Sequence, residues 1–288
     1  MRILVTGKEG QVARCLADRA GAHPAFDIVF AAREGTAIAL DLADPESVRA
    51  AVSNARPDLI LSVAAYTAVD QAEDEPDLAM AVNGAAPGIL AAAAREKGAR
   101  IIHVSTDYIF DGSLDRAYVE SDPVNPLGVY GRTKLAGEEA VRAANPDHLI
   151  LRTAWVYSPY GKNFQKTMIR LAETRDTVSV VDDQIGTPTA AHDIADALLL
   201  IAQYWKSGRD TGLGKVFHFA GREEMTWCGF ARRIFAESAV KGGPHANVIA
   251  ITTADYPTRA ARPQNSRLDR TAFDTAFAQD FRDADLCS

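Results

Sequence analysis

Short segments that are apolar at nearly every position alternate with helix-like segments through the first half of the chain. Arg2–Thr6, Asp27–Ala32, Ile38–Leu42, Asp58–Ala65, Arg100–Ser105 and His148–Arg152 read as strands. A half-exposed strand alternates apolar and polar residues, whereas a strand apolar throughout is covered on both faces, as in a parallel sheet. Val12–Arg19, a segment starting at Asp44-Pro45, Pro87–Lys97 and Val129–Ala143 read as the connecting helices. Asp44 is a good N-cap with proline in the first turn behind it, and Gly98 closes the third helix. Crossovers between parallel strands are right-handed, so the pattern predicts an α/β fold with a doubly wound, Rossmann-like parallel sheet.

The rhythm changes beyond Arg152. Asn163–Thr174, Asp193–Gln203 and Trp227–Ser238 look helical, Val178–Val181 and Val216–Phe219 look like short strands, and the tail from Thr252 looks irregular. We expect a dinucleotide-binding domain over residues 1–153 and a smaller substrate lobe over 154–288, partly interleaved with the first. At 288 residues and 47% hydrophobic content the chain can bury a sizeable core without disulfides or metals. Its charge, 31 basic against 38 acidic residues, is mixed and mildly negative, which argues against a nucleic-acid groove or an anionic membrane as partner. Cys15, Cys228 and Cys287 are scattered without CxxC spacing, and Met1–Gly10 lacks the apolar stretch of a signal peptide; both suit the cytoplasm.

Two motifs carry chemistry. Gly7-Lys8-Glu9-Gly10-Gln11-Val12-Ala13 lies between the first strand and the first helix. There Gly7 permits a tight turn, Gly10 lets the backbone approach a pyrophosphate, and the free helix N–H groups face the phosphates. After the second strand comes Arg33, suited to a ribose 2′-phosphate but equally a solvated surface arginine. Asp41-Leu42 would flank the adenine, although Asp41 also fits a plain helix-start role. The second motif, Tyr130-Gly131-Arg132-Thr133-Lys134, sets a phenol and an ammonium on one helix face. A cation beside a tyrosine lowers its pKa and makes proton exchange with a carbonyl feasible. Thr106, at the end of a preceding strand, falls at the same crevice.

Further segments extend these motifs: Ala64–Asp70, Ser105–Gly112, Tyr130–Glu138, Leu151–Tyr157, Asp183–Thr189 and Arg262–Leu268. With them, the chain resembles the extended short-chain dehydrogenase/reductases and, more narrowly, the dTDP-4-dehydrorhamnose reductase family. The resemblance implies hydride transfer from NADPH, with NADH as the other cofactor allowed, to C4 of a dTDP-4-keto-6-deoxyhexose. It further implies that Tyr130 protonates the C4 oxygen, Lys134 tunes Tyr130 and holds the nicotinamide ribose, and Thr106 hydrogen-bonds the carbonyl. Asp107 and Trp155 would line the sugar pocket, although Trp155 equally fits a plain core tryptophan, and Ala64, Ala65, Tyr66 and Thr67 would flank the cofactor. A homodimer is compatible with it.

Three departures qualify the resemblance. Family members often carry an acidic residue where Ala32 stands, which favours NADPH here. Some hold an interface magnesium partly through an acidic residue on the first helix; Cys15 stands there, and we expect no metal. The tail after Arg267 resembles the family little, and its last helix is in doubt. Competing readings are a related deoxysugar reductase or epimerase and a noncatalytic regulatory subunit of the same fold.

Overall fold

The structure, a computed structural model, describes residues 1–284, so Cys287 lies outside the described residues. The first half runs β1 (Arg2–Thr6), α1 (Gln11–Ala20), β2 (Asp27–Ala32), β3 (Ile38–Ala39), α2 (Pro45–Ala55) and β4 (Leu59–Ser62). It continues through α3 (Val69–Ala72), α4 (Pro76–Met80), α5 (Ala86–Glu96), β5 (Arg100–Thr106), α6 (Val129–Ala144) and β6 (His148–Thr153). The second half holds β7 (Val156–Tyr157), α7 (Phe164–Ala172), β8 (Thr177–Val181), β9 (Ile185–Gly186), β10 (Thr189–Ala190) and α8 (Ala191–Lys206). It ends with β11 (Lys215–His218), β12 (Met225–Thr226), α9 (Trp227–Val240), β13 (Asn247–Ile251) and α10 (Thr271–Ala284).

Seven strands form one sheet in the order β11-β6-β5-β4-β1-β2-β3, every neighbour parallel. Alternate residues of each strand feed opposite layers. Ile3 and Val5 pack with α1, α8 and α10 on one face, and Leu4 packs with α2, α5 and α6 on the other. The strand order reverses between β1 and β4, which opens a crevice at the C-terminal ends of those strands. A separate core built on Phe110, Tyr118, Val178, Val180, Phe230 and Ile234 supports a lobe above that edge. Three two-stranded ladders, β7 with β10, β9 with β12 and β8 with β13, frame it.

Several boundaries differ from expectation for local reasons. β3 stops at Ala39 and the chain turns at Asp41, whose carboxylate accepts from the Ala43 N–H. β4 stops at Ser62 because the Val63 and Ala64 N–H groups turn to the Thr6 hydroxyl. The helix expected from Pro87 begins at Pro76, with a π turn over Ala81–Ala85 linking α4 to α5. Pro87 has no N–H to give, and a wider turn just before it absorbs the mismatch. By length and composition Pro76–Glu96 could cross a membrane, yet Leu90, Ala91 and Ala94 on it are core residues against the sheet. The tail from Thr252 is not irregular throughout: it ends in α10, while β13 closes just before it at Ile251. Phe273 and Phe277, one helical turn apart, are fully buried against Phe217, which is the packing that orders α10.

Candidate active site

The glycine turn forms one wall of the crevice. Gly7 has φ +83°, where only glycine sits without strain, and a Cβ there would press on the Ala64 Cβ at 3.1 Å. Gly10 is the N-cap of α1 and provides no side-chain cap, so the first-turn N–H groups of Gln11, Val12 and Ala13 remain for a ligand. Nothing lies within 4 Å of a Cβ built on Gly10. An open helix N-terminus beside bare backbone is the shape a pyrophosphate takes, and these residues fit a dinucleotide. The Gln11 amide turns away from it, donating to the Val156 carbonyl and accepting from Ser158 and Asn163. Arg33 stands exposed just past β2. Asp41 serves its own helix start, and Leu42 packs on the adjoining core.

The opposite wall is the loop Ala64–Thr67, held by a residue the sequence reading missed. The Asn83 side chain, on the π turn, accepts from the Tyr66 N–H at 2.8 Å and donates to the Tyr66 carbonyl at 3.0 Å. It also donates to the Thr133 hydroxyl at 3.3 Å, tying the loop to α6. The available signal was an Asn-Gly pair just before a proline in an otherwise apolar helix. The Tyr66 hydroxyl donates to Glu75, and burial together with that bond pushes its pKa up to about 12.

At the end of β5 the Thr106 hydroxyl donates to Asp107 Oδ1 at 2.9 Å and accepts from the Tyr108 N–H at 3.2 Å, beside the Tyr130 phenol. Gly131 lets α6 approach this edge, since a Cβ there would overlap the Tyr108 carbonyl. Burial pushes the phenol up to about 12; Thr106 opposes the rise and Asp107 adds to it. The expected lowering by Lys134 is not what this geometry gives. The Lys134 ammonium instead donates to the Val104 carbonyl at 2.7 Å and to His103 Nε2 at 3.3 Å. Burial lowers its pKa to about 8, with Glu138 opposing. Glu138 is itself engaged by Arg152 through two bonds of 2.9 and 2.8 Å, so it acts on Lys134 only through its field.

Asp107 and Trp155 face the lobe. Burial pushes Asp107 up to about 7 against the pull of the Thr106 and Ser266 hydroxyls. Its Oδ2 and the Thr153 Oγ1 on the neighbouring strand are buried without hydrogen-bond partners, as polar groups awaiting a hydroxylated ligand would be. Trp155 adopts φ +46°, donates its indole N–H to Ser266 at 2.9 Å and stacks on Trp227 with centroids 3.4 Å apart. Gly186 makes room for that indole. The Arg262–Leu268 segment stitches lobe to sheet: Arg262 pairs with Asp70 at 2.7 Å, and Asn265 donates to the Leu114 and Arg116 carbonyls.

The fold also gathers Cys15, Asp18 and His192, whose ligand-type atoms lie within 4.8 Å of one another. Sequence spacing could not show this, because the trio joins α1 to α8. Burial raises the thiol to about 11, and both Asp18 oxygens already accept from Tyr160 and His192. The trio is a bridge between two helices.

Comparison with known proteins agrees with this geometry. The RmlD substrate binding domain family model matches residues 1–284. The dTDP-4-dehydrorhamnose reductase of Sinorhizobium fredii is 47% identical over 277 residues, covering 96% of this chain and 92% of that protein. A dTDP-4-dehydrorhamnose reductase structure from Clostridium acetobutylicum superposes with a TM-score of 0.86 at 36% identity, covering 96% of this chain and 92% of the other. One from Bacillus anthracis, in complex with NADP, gives 0.86 at 33% identity, covering 95% and 92%. With motifs, fold and near full-length identity in agreement, the chain belongs to the RmlD family of dTDP-4-dehydrorhamnose reductases.

Proposed function

We propose that this chain reduces the C4 ketone of dTDP-4-dehydro-L-rhamnose to give dTDP-L-rhamnose, with NADPH as the preferred reductant and NADH as the weaker one. The observation that carries the reading is the Thr106 hydroxyl, bonded to the Asp107 carboxyl beside the Tyr130 phenol at the mouth of the crevice. When bound, the dinucleotide supplies the hydride. Gly7, Gly10 and the N–H groups of Gln11 and Val12 hold its phosphates, and Arg33 receives the 2′-phosphate. Asp41 and Leu42 lie on the adenine side, and Ala64, Ala65, Tyr66 and Thr67 form the facing wall.

Negative charge builds on the C4 oxygen as the ketone is reduced. Tyr130 donates its Oη proton there, and Thr106 turns its single O–H from Asp107 to donate to the same oxygen, so both act mainly on the barrier. The phenol is a weak acid in this buried site, which keeps its proton in place until the alkoxide forms. Lys134 holds the nicotinamide ribose, and Asp107 and Trp155 hold the sugar. Two hydrogen-bond donors on the carbonyl polarise it without a Lewis acid, and no catalytic metal enters the scheme. The enzyme works in the cytoplasm on a free dTDP-sugar, as a homodimer.

The test is NADPH oxidation by purified protein with dTDP-4-dehydro-L-rhamnose, with the sugar product identified. Stoichiometric oxidation yielding dTDP-L-rhamnose supports the reading. Sugar turnover without net oxidation would mark an epimerase, and no turnover with any 4-keto sugar nucleotide would mark a noncatalytic subunit.

A further inference from the structure

His103 sits in the middle of β5 with no exposed surface, among Ile101, Ile102 and Val104. An imidazole there costs desolvation that an aliphatic side chain would not, so both nitrogens need partners. Both have them. Nδ1 lies 3.1 Å from the Ser62 hydroxyl on β4, directly opposite in the ladder, and Nε2 lies 3.3 Å from Lys134 Nζ.

The protonation pattern follows from the donors. A charged lysine only donates, so Nε2 must accept, and the single imidazole proton resides on Nδ1 and is given to Ser62. Burial and the adjacent ammonium together keep the ring neutral. Among the described residues His103 is the side chain that hydrogen-bonds Lys134; the other bond goes to the Val104 carbonyl. An ammonium has three N–H groups, and fixing two of them on the sheet leaves one, in a direction set by the tetrahedral nitrogen.

We propose that His103, its tautomer set by Ser62, is a positioning residue for Lys134: it anchors the ammonium to the sheet, keeps it charged and aims its remaining N–H into the crevice. This rests on the role given above to Lys134 in holding the cofactor. The titratable groups that act on the ammonium are His103 on β5 and Glu138 on its own helix, the latter paired with Arg152 on β6; Tyr130 stands one turn earlier on α6. Glu138 is taken up by Arg152, so the hydrogen bonds that hold the ammonium come from β5, from His103 and the Val104 carbonyl.

The experiment compares His103→Leu, His103→Gln and Ser62→Ala in the full chain. NADPH affinity is read by fluorescence titration, and kcat is measured across pH with dTDP-4-dehydro-L-rhamnose. Leucine removes the acceptor, and a lost hydrogen bond to a charged group should lower kcat and NADPH affinity by about 10- to 100-fold. KM for the sugar should stay unchanged, since His103 does not reach it. With less support for the cation, the alkaline limb of kcat should move to lower pH by about one unit. Glutamine places a carbonyl oxygen near the Nε2 position and should recover most of both losses. Ser62→Ala should move the alkaline limb in the same direction by less.

A folded leucine variant with an unshifted alkaline limb overturns the proposal, as does a glutamine variant no better than leucine. If leucine does not fold, an unshifted limb in Ser62→Ala overturns it, and a shifted one supports it. The NADPH titration needs no turnover. A protein inactive on the sugar would therefore refute the reductase reading while weakened NADPH binding in the leucine variant still upheld the anchor.

Discussion

We predict that Asp107→Asn stabilises the folded chain at alkaline pH and does so progressively less as pH falls. The residue is 2% exposed, and burial raises its carboxyl from 3.8 to about 7. The folded state therefore binds its proton more tightly than the unfolded chain does. Stability from this group is complete below the unfolded pKa and is lost as pH rises through the folded one. At 1.36 kcal/mol per pKa unit, a rise of about three units bounds the loss at about 4 kcal/mol by pH 8, of which about 2–3 kcal/mol accrues above pH 5. Asparagine keeps the shape and the Oδ1 acceptor for Thr106, and it puts an amide where Oδ2 has no partner. The cost of that amide does not depend on pH, so it cancels when the two proteins are compared at pH 5 and pH 8. Urea unfolding of both at each pH is the assay. The stability gap should move in favour of asparagine by about 2 kcal/mol between pH 5 and pH 8. A gap identical at both pH values, or one moving the other way, would refute the buried-carboxyl argument. The same variant should lose sugar turnover, since the destabilising group is the one kept for the substrate.

Other perturbations probe the rest of the site. Tyr130→Phe removes only the hydroxyl and should lower kcat by about 10²- to 10⁴-fold with NADPH affinity unchanged; near-normal kcat would remove Tyr130 as the acid. Arg33→Ala should weaken NADPH by about tenfold and leave NADH as it was; equal affinity for both cofactors in the unmodified protein would sink that assignment. Exhaustive EDTA treatment should leave activity intact, and a loss restored by added magnesium would contradict the metal-free scheme.

The parallel sheet was legible because its strands are apolar on both faces, a pattern that needs no long-range information. Strand ends were not, because they are set by side chains far away in sequence: β4 ends where the Thr6 hydroxyl captures the Val63 and Ala64 N–H groups. The π turn escaped for a similar reason. It reconciles Pro87 with a continuous helix, and its purpose emerges only when Asn83 meets Tyr66. At the site, glycine spacing and the tyrosine–lysine pair stood out in the sequence. The direction of the lysine did not: helix periodicity puts Lys134 on the same face as Tyr130, but the acceptors on β5 draw its ammonium toward the sheet. The tail was misjudged because Phe273 and Phe277 sit among charged residues. Their value lies in an aromatic cluster built with Phe217 and Phe219.

That cluster has a consequence for the order in which the chain can be made. Phe273 and Phe277 cover Phe217, and Phe277 meets Tyr204 on α8, on the same face of the sheet that β1 begins. A ribosome that has released only the first half of the protein has therefore exposed an apolar sheet face covered by α1 alone, with the rest of its cover still unsynthesised. The nascent chain must wait, with Leu149 and Leu151 open on that face, until α8 and then α10 emerge. Shortening the C-terminus before Phe273 would thus uncover Phe217 on β11 and Tyr204 on α8, and the truncated product would be a target for chaperones and proteases.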